Sequence, residues 1–217
     1  TAARWTRRTS NARQSNMNKK IFGALIILVL SPLAVADSTQ QAFEAMQQSF
    51  SKAGQAGMER LQQDETQRLC SAGAASNGLT DDALAKILAA NEAAVKLPAD
   101  GNYFGDWKRG QAIAQLGTGL QSSDDPAKPA GGNCYACHQM AESEIAYGTI
   151  GPSLLHYGKL RGNSQPIVDY TWRVLYNAKS YFACTHMPRF GSQGILDEQQ
   201  LRDVMSYLLD PESPVNQ

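Results

Sequence analysis

The chain has 217 residues, 42% hydrophobic and 18% charged, with 20 basic and 20 acidic side chains and a formal net charge of zero. That composition supplies a packed core and excludes a disordered, charge-dominated chain, and the length suggests one or two domains. The balance hides an asymmetry: residues 1–36 hold six basic residues and no acidic one, which leaves 14 basic against 20 acidic groups in the rest and argues against nucleic-acid binding.

The first methionine is Met17. Residues 1–16 read as an upstream leader foreign to the folded protein. From Met17-Asn18-Lys19-Lys20 the chain enters an apolar run, Ile21 to Leu30, and then Ser31-Pro32-Leu33-Ala34-Val35-Ala36. A short basic start, an apolar centre and an Ala-x-Ala site make 17–36 a signal peptide, cleaved after Ala36. The apolar run is about half of the ~20 residues a spanning helix needs, so no membrane anchor is expected after cleavage. No cysteine stands at the cleavage point. The expected location is the periplasm.

Residues 37–99 form a helical extension with no evident chemistry. Phe43, Met46 and Phe50 recur at helical steps, Gly54 and Gly57 interrupt, and Met58, Leu61, Glu65 and Leu69 continue more weakly. Thr80 predicts an N-cap, with Asp81 and Asp82 at the positive end of the helix dipole. Leu84, Ile87, Leu88 and Val95 predict its apolar stripe, and Pro98 its end.

From residue 100 the texture changes. Trp107 to Ala114 predicts a short helix in which Gly110 permits close helix–helix approach. A turn-rich loop, Asp124 to Gly132, leads into Cys134-Tyr135-Ala136-Cys137-His138. This C-x-x-C-H is the attachment signature of a c-type haem: two thiols add to the porphyrin vinyl groups, and the histidine becomes the proximal iron ligand. The rival readings are a redox C-x-x-C, which lacks a surrounding βαβ pattern, and half a zinc site, which lacks a second cysteine or histidine pair. Asp169 to Asn177 predicts a helix with Trp172 inward. Asp197 predicts the N-cap of a last helix with Leu201, Val204, Met205 and Leu208 as its stripe, ended by Asp210-Pro211. No alternating strand pattern appears, so the fold is mainly α.

A carrier haem takes a ligand on each face. Met187, His186, His156, Met140, Met205 and Cys184 are the candidates for the second. Met140 is too close to His138 to cross the ring, Met205 belongs to a helix stripe, and His156 lies beside the proximal loop. Met187 is far enough along the chain to wrap the porphyrin, and Pro188 stiffens its loop; Met187 is therefore favoured over His186 and Cys184. Gly151-Pro152 is a candidate to offer His138 a backbone carbonyl, against a plain turn. Arg161 and Arg189 are either haem-propionate partners or ordinary surface arginines. The two cysteines outside the haem motif, Cys70 and Cys184, are expected to pair in an exported protein, the alternative being two separate thiols.

Gly132-Asn133-Cys134-Tyr135-Ala136-Cys137-His138, Gly151-Pro152-Ser153-Leu154, Tyr157-Gly158-Lys159, Met187-Pro188-Arg189-Phe190-Gly191 and Asp210-Pro211-Glu212-Ser213-Pro214-Val215 together resemble the SoxX family, the monohaem cytochrome c subunit of the periplasmic SoxAX complex of bacterial sulfur oxidation. The resemblance covers about residues 100–217. It implies a class I cytochrome c-like domain over 100–217, one covalently attached haem c with iron held by His138 and Met187, and a SoxA-like dihaem or monohaem partner. In that complex SoxA joins thiosulfate oxidatively to a carrier-protein cysteine, an L-cysteine S-thiosulfotransferase activity. SoxX receives the electrons and passes them to an acceptor cytochrome, so this chain would not be catalytic alone. The extension 37–99 exceeds the minimal pattern of that family. The alternatives are a stand-alone soluble electron shuttle and a catalytic haem enzyme such as a peroxidase.

Overall fold

The structure is a computed structural model that describes residues 33–50 and 54–217. The expected upstream stretch and the expected signal peptide as far as Pro32 lie outside the described residues. Helices and 3-10 turns supply the regular structure, with no strand among the described residues. The helices are α1 (Leu33–Ser49), α2 (Glu65–Ala74), α3 (Asp81–Ala93), α4 (Trp107–Gln115), α5 (Tyr157–Arg161), α6 (Gln165–Tyr176) and α7 (Glu198–Leu209). Helix α1 runs through Ala36, the expected cleavage point. Gly54, in the left-handed region at φ +52°, follows its end.

The packing of α4 on α7 organises the domain. Gly110 makes it possible: a Cβ there would strike the Asp203 carbonyl and the Tyr207 Cβ on α7. The seam is polar at one end. The Asp203 side chain, 4% exposed, accepts from Arg109 Nε and Nη2 at 2.8 Å each, from the Asp106 amide at 2.8 Å and from Gln199 at 3.0 Å. Burial alone would raise the Asp203 carboxyl; these donors outweigh it and hold the group below its usual 3.8.

Helix α7 starts as expected at Asp197, whose carboxylate accepts from the Gln200 amide while the Gln200 side chain accepts from the Asp197 amide. The expected stripe of Leu201, Val204, Met205 and Leu208 is buried. So are Asp203, Ser206, Tyr207 and Leu209, because α4, α5, α6 and the C-terminal turn all pack on this helix.

Helix α6 begins four residues earlier than the sequence predicts, at Gln165 rather than Asp169. Pro166 falls in its first turn, where a missing N–H leaves no bond unmade. Trp172 is fully buried, packs edge-on to Tyr103, and donates its indole N–H to the Lys96 carbonyl at 2.8 Å.

Thr80 caps α3 as expected, accepting from the Ala83 amide. The predicted stripe is corrected: Ile87 is 1% exposed but Leu84 39%, and Val95 lies beyond the helix, which ends at Ala93, short of Pro98. The buried partner of Ile87 is polar. Asn91 donates to Thr66 Oγ1 at 2.9 Å and to the Ile87 carbonyl at 2.8 Å, and accepts from Asn177 at 3.1 Å. Arg173 pairs with Glu92 at the same seam. Residues 64–98, read from sequence as an extension without chemistry, thus pack on α6 and the turn after it. A disulfide between Cys70 and Cys184 adds a covalent tie across 114 residues, with the Cα atoms 5.6 Å apart.

Candidate functional site

The Cys134–His138 motif sits on a 3-10 turn, Cys134–Ala136, rather than an α-helical one. Asn133 enters it in the left-handed region at φ +46°. The turn closes with the His138 amide on the Cys134 carbonyl at 2.9 Å. The Gly132 amide bonds the Ile113 carbonyl and the Asn133 amide bonds the Leu116 carbonyl, which fixes the motif to the end of α4. Tyr135, the first spacer residue, is buried with its hydroxyl against that of Tyr207 on α7. The spacer therefore anchors the motif to the helix seam, which spacing alone does not reveal.

Cys134 and Cys137 are free thiols, each half-buried. Burial pushes the Cys134 thiol up to about 12. The other two cysteines are joined to each other, so the expected pairing of Cys70 with Cys184 holds and Cys184 is removed as a metal ligand. Among the described residues no group of three or more His, Cys, Asp and Glu could hold a metal ion, which leaves the zinc reading without its further ligands.

His138 Nδ1 lies 2.7 Å from the Pro152 carbonyl oxygen. A carbonyl can only accept, so Nδ1 is the donor, and in the neutral ring this places the lone pair on Nε2. This is the orienting contact for which Gly151-Pro152 was the candidate, in place of a plain turn. The loop that delivers it is laced to the motif by backbone bonds: Gly148 amide to Tyr135 carbonyl, Gly151 amide to Cys137 carbonyl, and Leu154 amide to Gln139 carbonyl, each 2.8 Å. Gly151 lies against the imidazole so closely that a Cβ would strike the ring.

The distal candidates sort themselves by position. Met140 and Met205 are fully buried in the core. His156 takes φ +58°, places its amide on the Val215 carbonyl and its Nε2 3.8 Å from Glu142. In the 184–191 loop His186 is exposed, while Met187 is half-buried and packs against the core cluster. The Met187 amide donates to Thr185 Oγ1 at 3.2 Å. Met187 thus packs toward the core while His186 is left at the surface. Of the two arginines, Arg189 is 12% exposed and pairs with Asp64 at the start of α2, and Arg161 stacks over Tyr157 and Tyr170. Both therefore have protein partners that sequence reading did not supply.

This donor set suits a haem c: two unpaired thiols at C-x-x-C spacing, followed by an imidazole whose Nδ1 is tied and whose Nε2 is available. The cytochrome c family model matches residues 107–210, from the first residue of α4 to the residue that caps α7. The chain is also similar to a protein of Aquifex aeolicus (strain VF5) named "Uncharacterized lipoprotein". The two are 33% identical over 214 residues, 92% of this chain and 100% of the relative. A helical domain spanning α4 to α7, with its haem-attachment motif on the α4 side of the seam and its imidazole tied to a Gly-Pro loop, belongs to the cytochrome c superfamily.

Proposed function

We propose that this protein is an exported electron carrier in which Cys134 and Cys137 hold one haem c by thioether bonds and His138 and Met187 are its axial ligands. The observation that carries this reading is the contact of His138 Nδ1 with the Pro152 carbonyl, which fixes the ligand tautomer from within the chain. Haem c supplies a reversible one-electron site. The chain's own residues do the rest. Gly151 gives the imidazole room, Pro152 holds its proton, and Met187 offers a neutral thioether that favours the ferrous form. A ligand on both faces suits relay rather than catalysis, which needs an open face.

The more specific role is that of a SoxX subunit, accepting electrons from a SoxA-like partner that couples thiosulfate to a carrier-protein cysteine. Its support is the combination of Cys134–His138, Met187–Gly191 and Asp210–Val215 in one chain. Export rests on the pattern of residues 17–36. The Aquifex relative is named a lipoprotein, and membrane attachment of this protein would be its counterpart here.

An absorption spectrum of the oxidised holoprotein tests the ligand set. A band at about 695 nm, lost in Met187→Ala, is expected; a high-spin spectrum would overturn the carrier reading in favour of a catalytic haem. Co-purification with a second haem subunit is expected for the SoxX role, and its failure on co-expression would favour a free shuttle. The intact mass of the native protein should equal residues 37–217 plus one haem, and a mass that retains residues 17–36 would show an uncleaved, membrane-attached form instead.

A further inference from the structure

Helix α2 touches the Met187 loop twice. Cys184, three residues before Met187, is joined to Cys70 on α2. Arg189, two residues after Met187, is paired with Asp64, the N-cap of the same helix. We propose that α2 is a clasp for the axial-ligand loop, with Cys70 and Asp64 as positioning residues that hold the chain on either side of Met187 and keep its thioether on the iron. The inference rests on Met187 being the ligand.

Between the two ties lie only Thr185, His186, Met187 and Pro188. His186 and Pro188 are exposed, so the protein offers them no outer wall. The local bonds within the span are the Thr185 amide to the Phe182 carbonyl and the Met187 amide to Thr185 Oγ1. A four-residue stretch pinned at both ends has few conformations to lose when Met187 takes its place. Downstream the loop is also secured on α6, where the Gly191 and Ser192 amides share the Tyr176 carbonyl at 3.0 Å and Phe190 is buried. Upstream, the disulfide is the covalent hold.

The Asp64–Arg189 tie differs from an ordinary surface pair. Arg189 is 12% exposed and lies near Lys179, whose ammonium is disfavoured by burial and by the Arg189 charge. Asp64 faces both cations. Its carboxylate therefore offsets a repulsion inside the loop's own foundation as well as pairing with Arg189. Asp64 is in turn fixed by its capping box with Gln67. A segment that lies before the family match at 107–210 thus sets how tightly the sixth ligand is held.

The test uses the full-chain holoprotein. Carbon monoxide added to the ferrous form binds iron only when Met187 leaves it, so its binding rate reads the fraction of loop displaced. Cys70→Ser with Cys184→Ser should raise that rate about ten-fold. Asp64→Asn should raise it about two- to three-fold. Both should lose the 695 nm band on heating before far-UV circular dichroism reports unfolding, a separation that general destabilisation does not produce. Treatment of the wild type with a phosphine reductant, which leaves thioether bonds intact, should reproduce the double variant and carries the test if that variant fails to accumulate. Loss of the band in Met187→Ala together with wild-type carbon monoxide rates in both clasp variants and the reduced protein would overturn the clasp alone. A band that survives in Met187→Ala would overturn the ligand assignment on which it rests.

Discussion

The two sides of the proposed haem site are held by different means. On the proximal side the ties made by His138 and its loop are short in sequence: the His138 amide reaches Cys134, its ring reaches Pro152, and the Gly151 amide reaches Cys137, although the spacer Tyr135 also reaches Tyr207 on α7. On the distal side the ties that flank Met187 reach back 114 residues to Cys70 and 125 to Asp64. A site built from neighbours forms wherever its own segment folds. A site built from distant partners forms only when the whole domain has closed, since long loops must be ordered before their contacts repay the cost. His138 is therefore oriented mainly by local contacts, and the Met187 loop by tertiary ones.

The strongest attack on the local side is Gly151→Val. Its side chain would strike the His138 imidazole, and the expected outcome is loss of nearly all haem-bearing protein, read as the ratio of haem absorbance to total protein. Wild-type haem content in that variant would mean that the proximal loop is not built around the ring. On the distal side, Cys70→Ser with Cys184→Ser should lower global stability by about 4–5 kcal/mol, the value for a loop of this length, measured by guanidinium unfolding of the holoprotein. Its haem content should stay near wild type, because attachment uses the local side. Equal loss of haem in this variant would erase the distinction between the two sides.

The α4–α7 seam gives a smaller, pH-marked effect. Asp203→Asn should cost about 1.5–3 kcal/mol at neutral pH, as expected for charge-assisted bonds from Arg109 to a buried carboxylate. The folded-state pKa of Asp203 is depressed below 3.8, so this stability is present above that value and is lost as pH falls through the lower folded one. The gap between variant and wild type should therefore close in acid. A gap that stays constant from pH 7 to about pH 2 would show that packing rather than charge carries the contribution.

How much of this was readable in the sequence follows the same division. The haem motif, the Gly-Pro loop that orients His138, the caps Thr80 and Asp197 and the α7 stripe are local patterns, and all were legible. Gly110 was legible as a close-approach residue because few other roles need a glycine inside a short helix. Cysteine arithmetic reached the Cys70–Cys184 bond, since only two thiols were left over. The rest was not local. Asn91 looks like an unremarkable helix residue until Asn177 and Thr66 meet it. Arg189 looks like a propionate partner until Asp64 arrives from 125 residues away. The start of α6 at Gln165 lies in a Pro166-containing turn without a side-chain cap, so no capping signal marks it. Leu84 carried the expected apolar character without a surface to bury it.

The C-terminal turn bears on how α5 and α7 stay together. Val215 is fully buried, its carbonyl receives the His156 amide, and the Asn216 side chain bonds the Leu208 and Asp210 carbonyls and the Lys159 amide. These residues lock α5 onto α7, and α7 in turn is the surface that α4 needs. Without Val215 and Asn216 the His156 and Lys159 amides and the Leu208 and Asp210 carbonyls would each lose a partner, and α7 would lose cover on the side away from α4. A terminal segment tied down in this way is a structural member of the domain rather than a tail, and trimming it should loosen α5 and α7 together.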